Sequence, residues 1–171
     1  MENVILVDED DNAHGVMEKL QAHRLGELHR AISVFVFNSA GEFLLQRRAA
    51  GKYHSAGKWS NTCCSHPRPG EANLDAALRR LKEEMGIHCH LDHQFSFIYR
   101  AELENGLIEH EYDHVFMGIT DIEPVPDPTE VAGYHYMNSS DLAADISQNP
   151  DSYTEWFKLC FERIGKRLFT T

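Results

Sequence analysis

From residue 108 to 120 the chain carries a long strand-like run, and the first part of it, Glu109-His-Glu-Tyr-Asp-His114, alternates strictly. Side chains on a strand point to opposite faces in turn, so Glu109, Glu111 and Asp113 share one face while His110, Tyr112 and His114 share the other. Carboxylates aimed together from one strand repel each other. Either that face lies on an edge strand open to water, or something positive stands against it, and a metal ion does this most directly.

The surrounding sequence supplies the other layers. Residues 4–7 read as a short strand, and 31–37 and 42–47 as a hairpin about the turn Asn38-Ser-Ala-Gly41. Further strands are predicted at 95–101 and 132–137. Behind Asn73, read as an N-cap, Leu74, Ala77, Leu78, Leu81 and Met85 recur at helical spacing until Gly86 stops the pattern. A short helix is expected over 141–147, capped by Ser139 or Ser140. Tyr153, Trp156, Phe157, Cys160, Phe161, Ile164 and Leu168 mark the apolar face of a C-terminal helix. Strands and helices follow one another without a βαβ rhythm, which predicts an α+β layered fold with a mixed sheet flanked by helices. At 171 residues, one domain over 1–171 is expected.

Charge narrows the partners. Sixteen Lys and Arg against 27 Asp and Glu give a net charge of -11, a field that repels nucleic acid and anionic membrane surfaces. No apolar run approaches the ~20 residues that span a bilayer, and the first residues lack a signal-peptide pattern. Four irregularly spaced cysteines do not make a disulfide framework, so a cytoplasmic location is expected.

An anion that binds this chain must therefore be held by local geometry. Glu83 and Glu84 close the 73–85 helix where its dipole disfavours negative charge. Arg80 and Glu84, four apart, are either a solvated pair worth ~0.5 kcal/mol or a guanidinium and carboxylate facing a cleft. The loop Trp59-Ser-Asn-Thr-Cys-Cys-Ser-His-Pro-Arg-Pro-Gly-Glu71 sets Cys64 two residues before His66, and His23-Arg-Leu-Gly-Glu-Leu-His29 holds two more histidines. Taken singly, each of these is equally well a solvated or structural residue.

Together the segments resemble a known family. Leu28-His-Arg-Ala-Ile-Ser-Val-Phe-Val-Phe-Asn38, Trp59-Ser-Asn-Thr-Cys-Cys-Ser-His-Pro67, Arg79-Arg-Leu-Lys-Glu-Glu-Met-Gly86, Tyr99-Arg-Ala101 and Glu109-His-Glu111 are similar, in that order, to the type I isopentenyl diphosphate isomerases of the Nudix superfamily. The resemblance implies a Nudix-like fold and the conversion of isopentenyl diphosphate to dimethylallyl diphosphate through a carbocation. It carries the family's metal ligands to His23, His29, His66, Glu109 and Glu111, a set that Mn, Zn or Mg would accept. Its acid and base pair falls on Cys64 and Glu111, with Tyr99 as an assisting phenol and Trp156 as the aromatic facing the reacting carbons. For Trp156, core packing is the competing reading.

Lys19, Arg48, Lys52 and Arg80 match the diphosphate contacts, and Glu84 the position that binds Mg together with the substrate. Small-molecule diphosphate is the implied partner, with a monomer or weak homodimer expected. Two departures bear on the alternative, a Nudix hydrolase of a diphosphate-containing metabolite. The hydrolase signature has Gly at position 65 and Glu at position 80, where this chain has Ser65 and Arg80. Loss of the second carboxylate removes a metal ligand that hydrolysis uses. A non-catalytic metal-binding domain would use the same histidines and turn over nothing.

Overall fold

A computed structural model describes residues 1–168. The strand that organises it is β3 (His29–Phe37), and the others are β1 (Asn3–Val7), β2 (Ala13–Glu18), β4 (Phe43–Arg48), β5 (Trp59–Ser60), β6 (Cys63–Ser65), β7 (Asp92–Glu102), β8 (Ile108–Ile119) and β9 (Val131–Met137). Along its whole length β3 runs parallel to β8, from His29 opposite Glu111 to Phe37 opposite Ile119. It also pairs antiparallel with β1 near its start, β6 in its middle and β4 at its end. The parallel pair inside a largely antiparallel sheet makes the sheet mixed, as the sequence predicts.

The hairpin expected over 31–47 opens almost at once. Its turn forms, but β3 and β4 pair only at Phe37 and Phe43. The physical reason is a wedge. Thr62 Oγ1 accepts from Val36 N–H at 2.8 Å and donates to Leu44 O at 2.7 Å, so one side chain replaces the ladder between the two strands. Asn61 Nδ2 donates to Val34 O, and Gln46 Nε2 to Thr62 O. Backbone groups left by the parting strands are thereby satisfied, and β4 takes β9 and β5 as neighbours.

Four helices complete the layers: α1 (Lys19–Leu25), α2 (Asn73–Met85), α3 (Ser139–Gln148) and α4 (Glu155–Leu168). On one face of the sheet Ala76, Ala77, Leu81 and Met85 of α2 pack on Ile32, Val34, Val36 and Leu44. On the other, Trp156, Phe157, Cys160 and Ile164 of α4 pack on Phe35, Leu45 and Val115. Apolar burial on both faces is the main driving term.

Several local expectations are corrected. Ala72 is the N-cap of α2 and makes no side-chain cap, while Asn73 is the first helical residue. Leu74, placed on the apolar face by its spacing, is 42% exposed, because the first turn overhangs the core edge and Ala76 fills the position instead. The cap of α3 is Asn138, whose side chain accepts from Asp141 N–H, so neither Ser139 nor Ser140 has that role. Both β2 and α1 went unforeseen. Seven residues are too short for a clear periodicity, and α1 is held by Glu18 accepting from Leu20 and Gln21 N–H and by Gly26 at φ 70.

Candidate metal centre and active site

The parallel register of β3 and β8 builds the centre. It sets His29 beside Glu111, with Glu109 two residues earlier on the same face. Helix α1 delivers His23, and the segment leaving β6 delivers His66. His23 Nε2 lies 3.4 Å from Glu109 Oε1, and His29 Nε2 and His66 Nε2 lie 3.8 and 3.4 Å from Glu111 Oε1. All five side chains are buried.

Two tautomers are fixed by the backbone. His23 Nδ1 meets Lys19 O at 2.7 Å and His29 Nδ1 meets Glu27 O at 2.8 Å. A carbonyl only accepts, so each Nδ1 carries a proton, and in its neutral form each ring turns a bare Nε2 lone pair toward the carboxylates. His23 Nε2, His29 Nε2 and Glu109 Oε2 are buried without a hydrogen-bond partner. Lone pairs converging on anions need a cation among them. The donor atoms of His23, His29, His66 and Glu111 lie within 4.8 Å of one another, and those of His23, His54 and Glu109 form a second such group. The chemistry of this buried cluster fits a divalent metal ion.

The electrostatics of His29 and His66 agree, while at His23 burial lowers the imidazole but the Glu109 carboxylate beside it outweighs that and raises it. Burial, reinforced by the neighbouring His23, holds His29 down to about 4, and burial with His29 and His23 holds His66 well below the usual range. Both imidazoles are therefore neutral and able to ligate. Burial and then the charge of Glu109 push Glu111 well up. Against the cost of its own burial, Glu109 is held well down by its neighbours Glu111, His23 and His54.

Cys64 sits on β6 opposite Ser33. Asn61 spends both Nδ2 protons on Val34 O and Cys63 O, which fixes its Oδ1 toward Cys64 Sγ at 2.9 Å. Trp156 Nε1–H donates to the same sulfur at 3.0 Å. Cys64 opens onto a cleft, while protein encloses it elsewhere and, with Asp113 nearby, pushes its thiol up to about 12. Tyr99 stands across the β7–β8 ladder from Glu111, and burial followed by the charges of Glu111 and Glu109 pushes its phenol well up.

The cleft, about 410 Å³, is lined by every site residue read from the sequence except His23 and His29, which are fully buried behind it. On its rim Lys19 pairs with Glu2 at 2.5 Å and Lys52 with Glu130 at 2.5 Å. Arg80 holds Glu84 at 2.6 Å, and the guanidinium of Arg48 lies 5.1 Å from the centre of the Trp156 ring. Arg48 Nε and Arg80 Nε are buried without an acceptor. Glu84 is 4% exposed and also accepts from Gln46 Nε2 at 2.8 Å, so the solvated-pair reading of Arg80 and Glu84 is corrected. Glu84 stands apart from the histidine cluster, in a corner lined also by Gln46, Ser60, Glu130, Arg48 and Lys52.

The remaining carboxylate of the alternating run, Asp113, accepts from Ser33 Oγ at 2.7 Å, and burial pushes it up to about 7. On the opposite face His114 is held by Asp11 and Ser96. The sequence reading missed Asn61 and His54. Asn61 lies in the quoted loop and was legible as a polar residue three before Cys64. His54 is a lone histidine between strands, with no spacing to mark it.

A family model described as NUDIX domain matches residues 27–157. The chain is 56% identical over 163 residues to Isopentenyl-diphosphate Delta-isomerase 1 of Aromatoleum aromaticum, covering 95% of this chain and 92% of that one. It is 55% identical over 161 residues to Isopentenyl-diphosphate Delta-isomerase of Pectobacterium atrosepticum, with 94% and 90% covered. Among solved structures, DR0079 from Deinococcus radiodurans superposes with a TM-score of 0.79 over 95% of this chain and 98% of that one. At 20% identity that match speaks to the fold alone. Among the described residues, no helix is long and apolar enough to cross a membrane.

Proposed function

We propose, from the premise that this chain belongs to the NUDIX family and to its isopentenyl-diphosphate Delta-isomerase branch, that Cys64 and Glu111 move the two protons of the reaction. The reaction turns isopentenyl diphosphate into dimethylallyl diphosphate. One proton is added at the terminal alkene carbon, another leaves C2, and no electrons are exchanged with a partner. The observation that carries the assignment is the shared cleft, onto which Cys64, Glu111, Tyr99 and Trp156 all open beside the basic rim.

Each residue has a task that its surroundings support. Asn61 and Trp156 fix the Cys64 sulfur, while the β3–β8 ladder fixes Glu111. One of the pair gives a proton to the alkene and the other takes one from C2, as general acid and base. Tyr99, opposite Glu111, assists that carboxyl. Protonation leaves a tertiary carbocation that water would trap, and the Trp156 indole offers it a negative ring face in a site closed by burial.

His23, His29, His66, Glu109 and Glu111 would hold one Mn, Zn or Mg ion and Glu84 a Mg ion, the first supplying positive charge beside the Glu111 proton and the second neutralising diphosphate. Lys19, Lys52 and Arg80 exchange their carboxylate partners for diphosphate oxygens, and Arg48, held by His54 O and the Trp156 ring, joins them. Arg80 stands where hydrolysis would want a carboxylate, which disfavours the hydrolase alternative. A net charge of -11 supports the absence of a nucleic-acid or membrane partner. The same reading takes the chain as cytoplasmic, one domain over residues 1–171, and monomeric or weakly dimeric.

The test is incubation with isopentenyl diphosphate and Mg. Dimethylallyl diphosphate should accumulate in wild type and not in Cys64→Ala or Glu111→Gln. Normal turnover by either variant would remove that residue from the pair.

A further inference from the structure

The segment between β4 and β5 brings a histidine to the centre that the family resemblance does not include. His54 is 4% exposed, and its Nε2 lies 3.2 Å from Glu109 Oε1, the same oxygen that His23 Nε2 approaches at 3.4 Å. Two imidazoles thus converge on one carboxylate oxygen, while Glu109 Oε2 is buried without a partner. The ring of His54 packs edge-on to Trp156 with centroids 5.5 Å apart. Its backbone is pinned on both sides: Arg48 donates to His54 O at 3.1 Å, and Ser55, at φ 51, donates its N–H to the Glu104 carboxylate. A non-glycine residue at positive φ persists only where its surroundings hold it.

The chemistry of Nδ1 distinguishes His54 from its neighbours. His23 and His29 face carbonyls and have one tautomer available. His54 Nδ1 faces Ser55 Oγ at 3.3 Å, and a hydroxyl accepts as readily as it donates. With Ser55 accepting, His54 also presents a bare Nε2. The donor atoms of His23, His54 and Glu109 then lie within 4.8 Å of one another, as do those of His23, His29, His66 and Glu111. Ligands ~2.1 Å from an ion stand ~3 Å apart when adjacent and ~4.2 Å when opposite, so both groups have the size of a coordination shell. They share His23, whose single lone pair serves one ion. The two groups stay distinct because not every donor of one lies within 4.8 Å of every donor of the other, so one cation closes both only if the His54 and Glu109 side chains turn inward.

We infer that His54 is a fourth imidazole ligand of this centre, completing six donors with His23, His29, His66, Glu109 and Glu111. This inference rests on the reading of the cluster as a metal centre and deepens it. Four nitrogens and two carboxylates suit Zn or another borderline transition metal better than Mg, which takes oxygen. An ion held by these residues would supply positive charge beside Glu111, and His54 would tie the 49–58 segment, with Lys52 on it, to the core.

The competing role for His54 is a hydrogen bond to Glu109 from outside the shell. Metal-free protein is titrated with Zn alone against a competing chelator, and zinc-edge X-ray absorption counts the bound imidazoles, for wild type, His54→Ala and His54→Gln. Circular dichroism establishes that each variant is folded. The result expected is one Zn per chain with four imidazoles in wild type and three in both variants, whose affinity falls more than ~100-fold, beyond the 10- to 100-fold typical of outer partners. Three imidazoles in wild type would overturn the inference while leaving the metal centre standing. So would wild-type affinity in His54→Gln, which keeps an N–H for Glu109 and offers no imidazole. Two Zn per chain would overturn the single-ion argument. Wild type that takes up no Zn would sink both this assignment and the metal-centre reading beneath it.

Discussion

The buried histidine and glutamate centre and the basic rim of the cleft solve opposite problems with opposite means. In the centre, side chains are placed by a strand register and by backbone carbonyls on His23 and His29 Nδ1. On the rim, Lys19 and Lys52 reach out from α1 and from the segment after β4, and each is paired with a carboxylate of the protein itself. The first arrangement fixes geometry before substrate arrives. On the proposed function, the second keeps charge in reserve until a diphosphate competes for it. Fixed groups serve the chemical step, whereas exchangeable ones serve binding.

If that contrast is right, the largest losses come from the fixed region. Cys64→Ala and Glu111→Gln should each lower kcat by at least ~100-fold to 10,000-fold with the fold retained, as steady-state kinetics and circular dichroism would show. Cys63→Ala should be mild, because Cys63 is fully buried in the α2-facing core and not at the cleft. A dead Cys63 variant beside a live Cys64 variant would break the assignment.

Metal retention sharpens the same comparison. Because burial holds His29 at about 4 and His66 well below its ordinary 6.5, protons compete weakly for their lone pairs. A lowered imidazole pKa moves release to lower pH, so the ion should stay bound as pH falls through 6.5 and leave nearer 4. Metal analysis after dialysis at stepped pH measures this. Release centred at 6.5 would mean that the imidazoles are solvated and the centre is not preformed.

Much of the centre was legible in the sequence, because strand periodicity alone puts Glu109 and Glu111 on one face and helical spacing places Trp156 toward the core. The 73–85 helix and its stop at Gly86 were legible for the same reason. There a side chain would meet Val125 O at 2.7 Å, so only glycine fits at φ 66. What escaped depends on contacts between distant segments. The wedge of Asn61 and Thr62 exists only because β3 and β4 part, and local turn chemistry pointed instead to a continuous hairpin. His54 carries no periodic signal, and its approach to Glu109 is set by a loop whose course depends on Arg48 and Glu104. The carboxylates Glu2 and Glu130, which hold the rim lysines, are likewise remote in sequence from their partners.

Smaller effects belong to the rim. Arg48→Ala or Lys52→Ala should raise KM roughly tenfold to a hundredfold, the range for losing a charged hydrogen bond, and change kcat little. A matching fall in kcat would mean that the rim also positions the alkene. Glu84→Gln should shift only the Mg concentration giving half-maximal activity, upward by several-fold on the order expected for one lost carboxylate ligand. An unchanged Mg dependence would make Glu84 a partner of Arg80 and Gln46 alone.

The central claim, that the fixed groups carry out proton addition and removal on an alkene, is tested most directly by running the reaction in deuterium oxide and examining the product of the first turnovers by mass spectrometry. Dimethylallyl diphosphate should appear one mass unit heavier, with deuterium in the new methyl group, because the proton delivered to the terminal carbon comes from an exchangeable side chain. Product formed without deuterium, or release of phosphate in its place, would contradict the account.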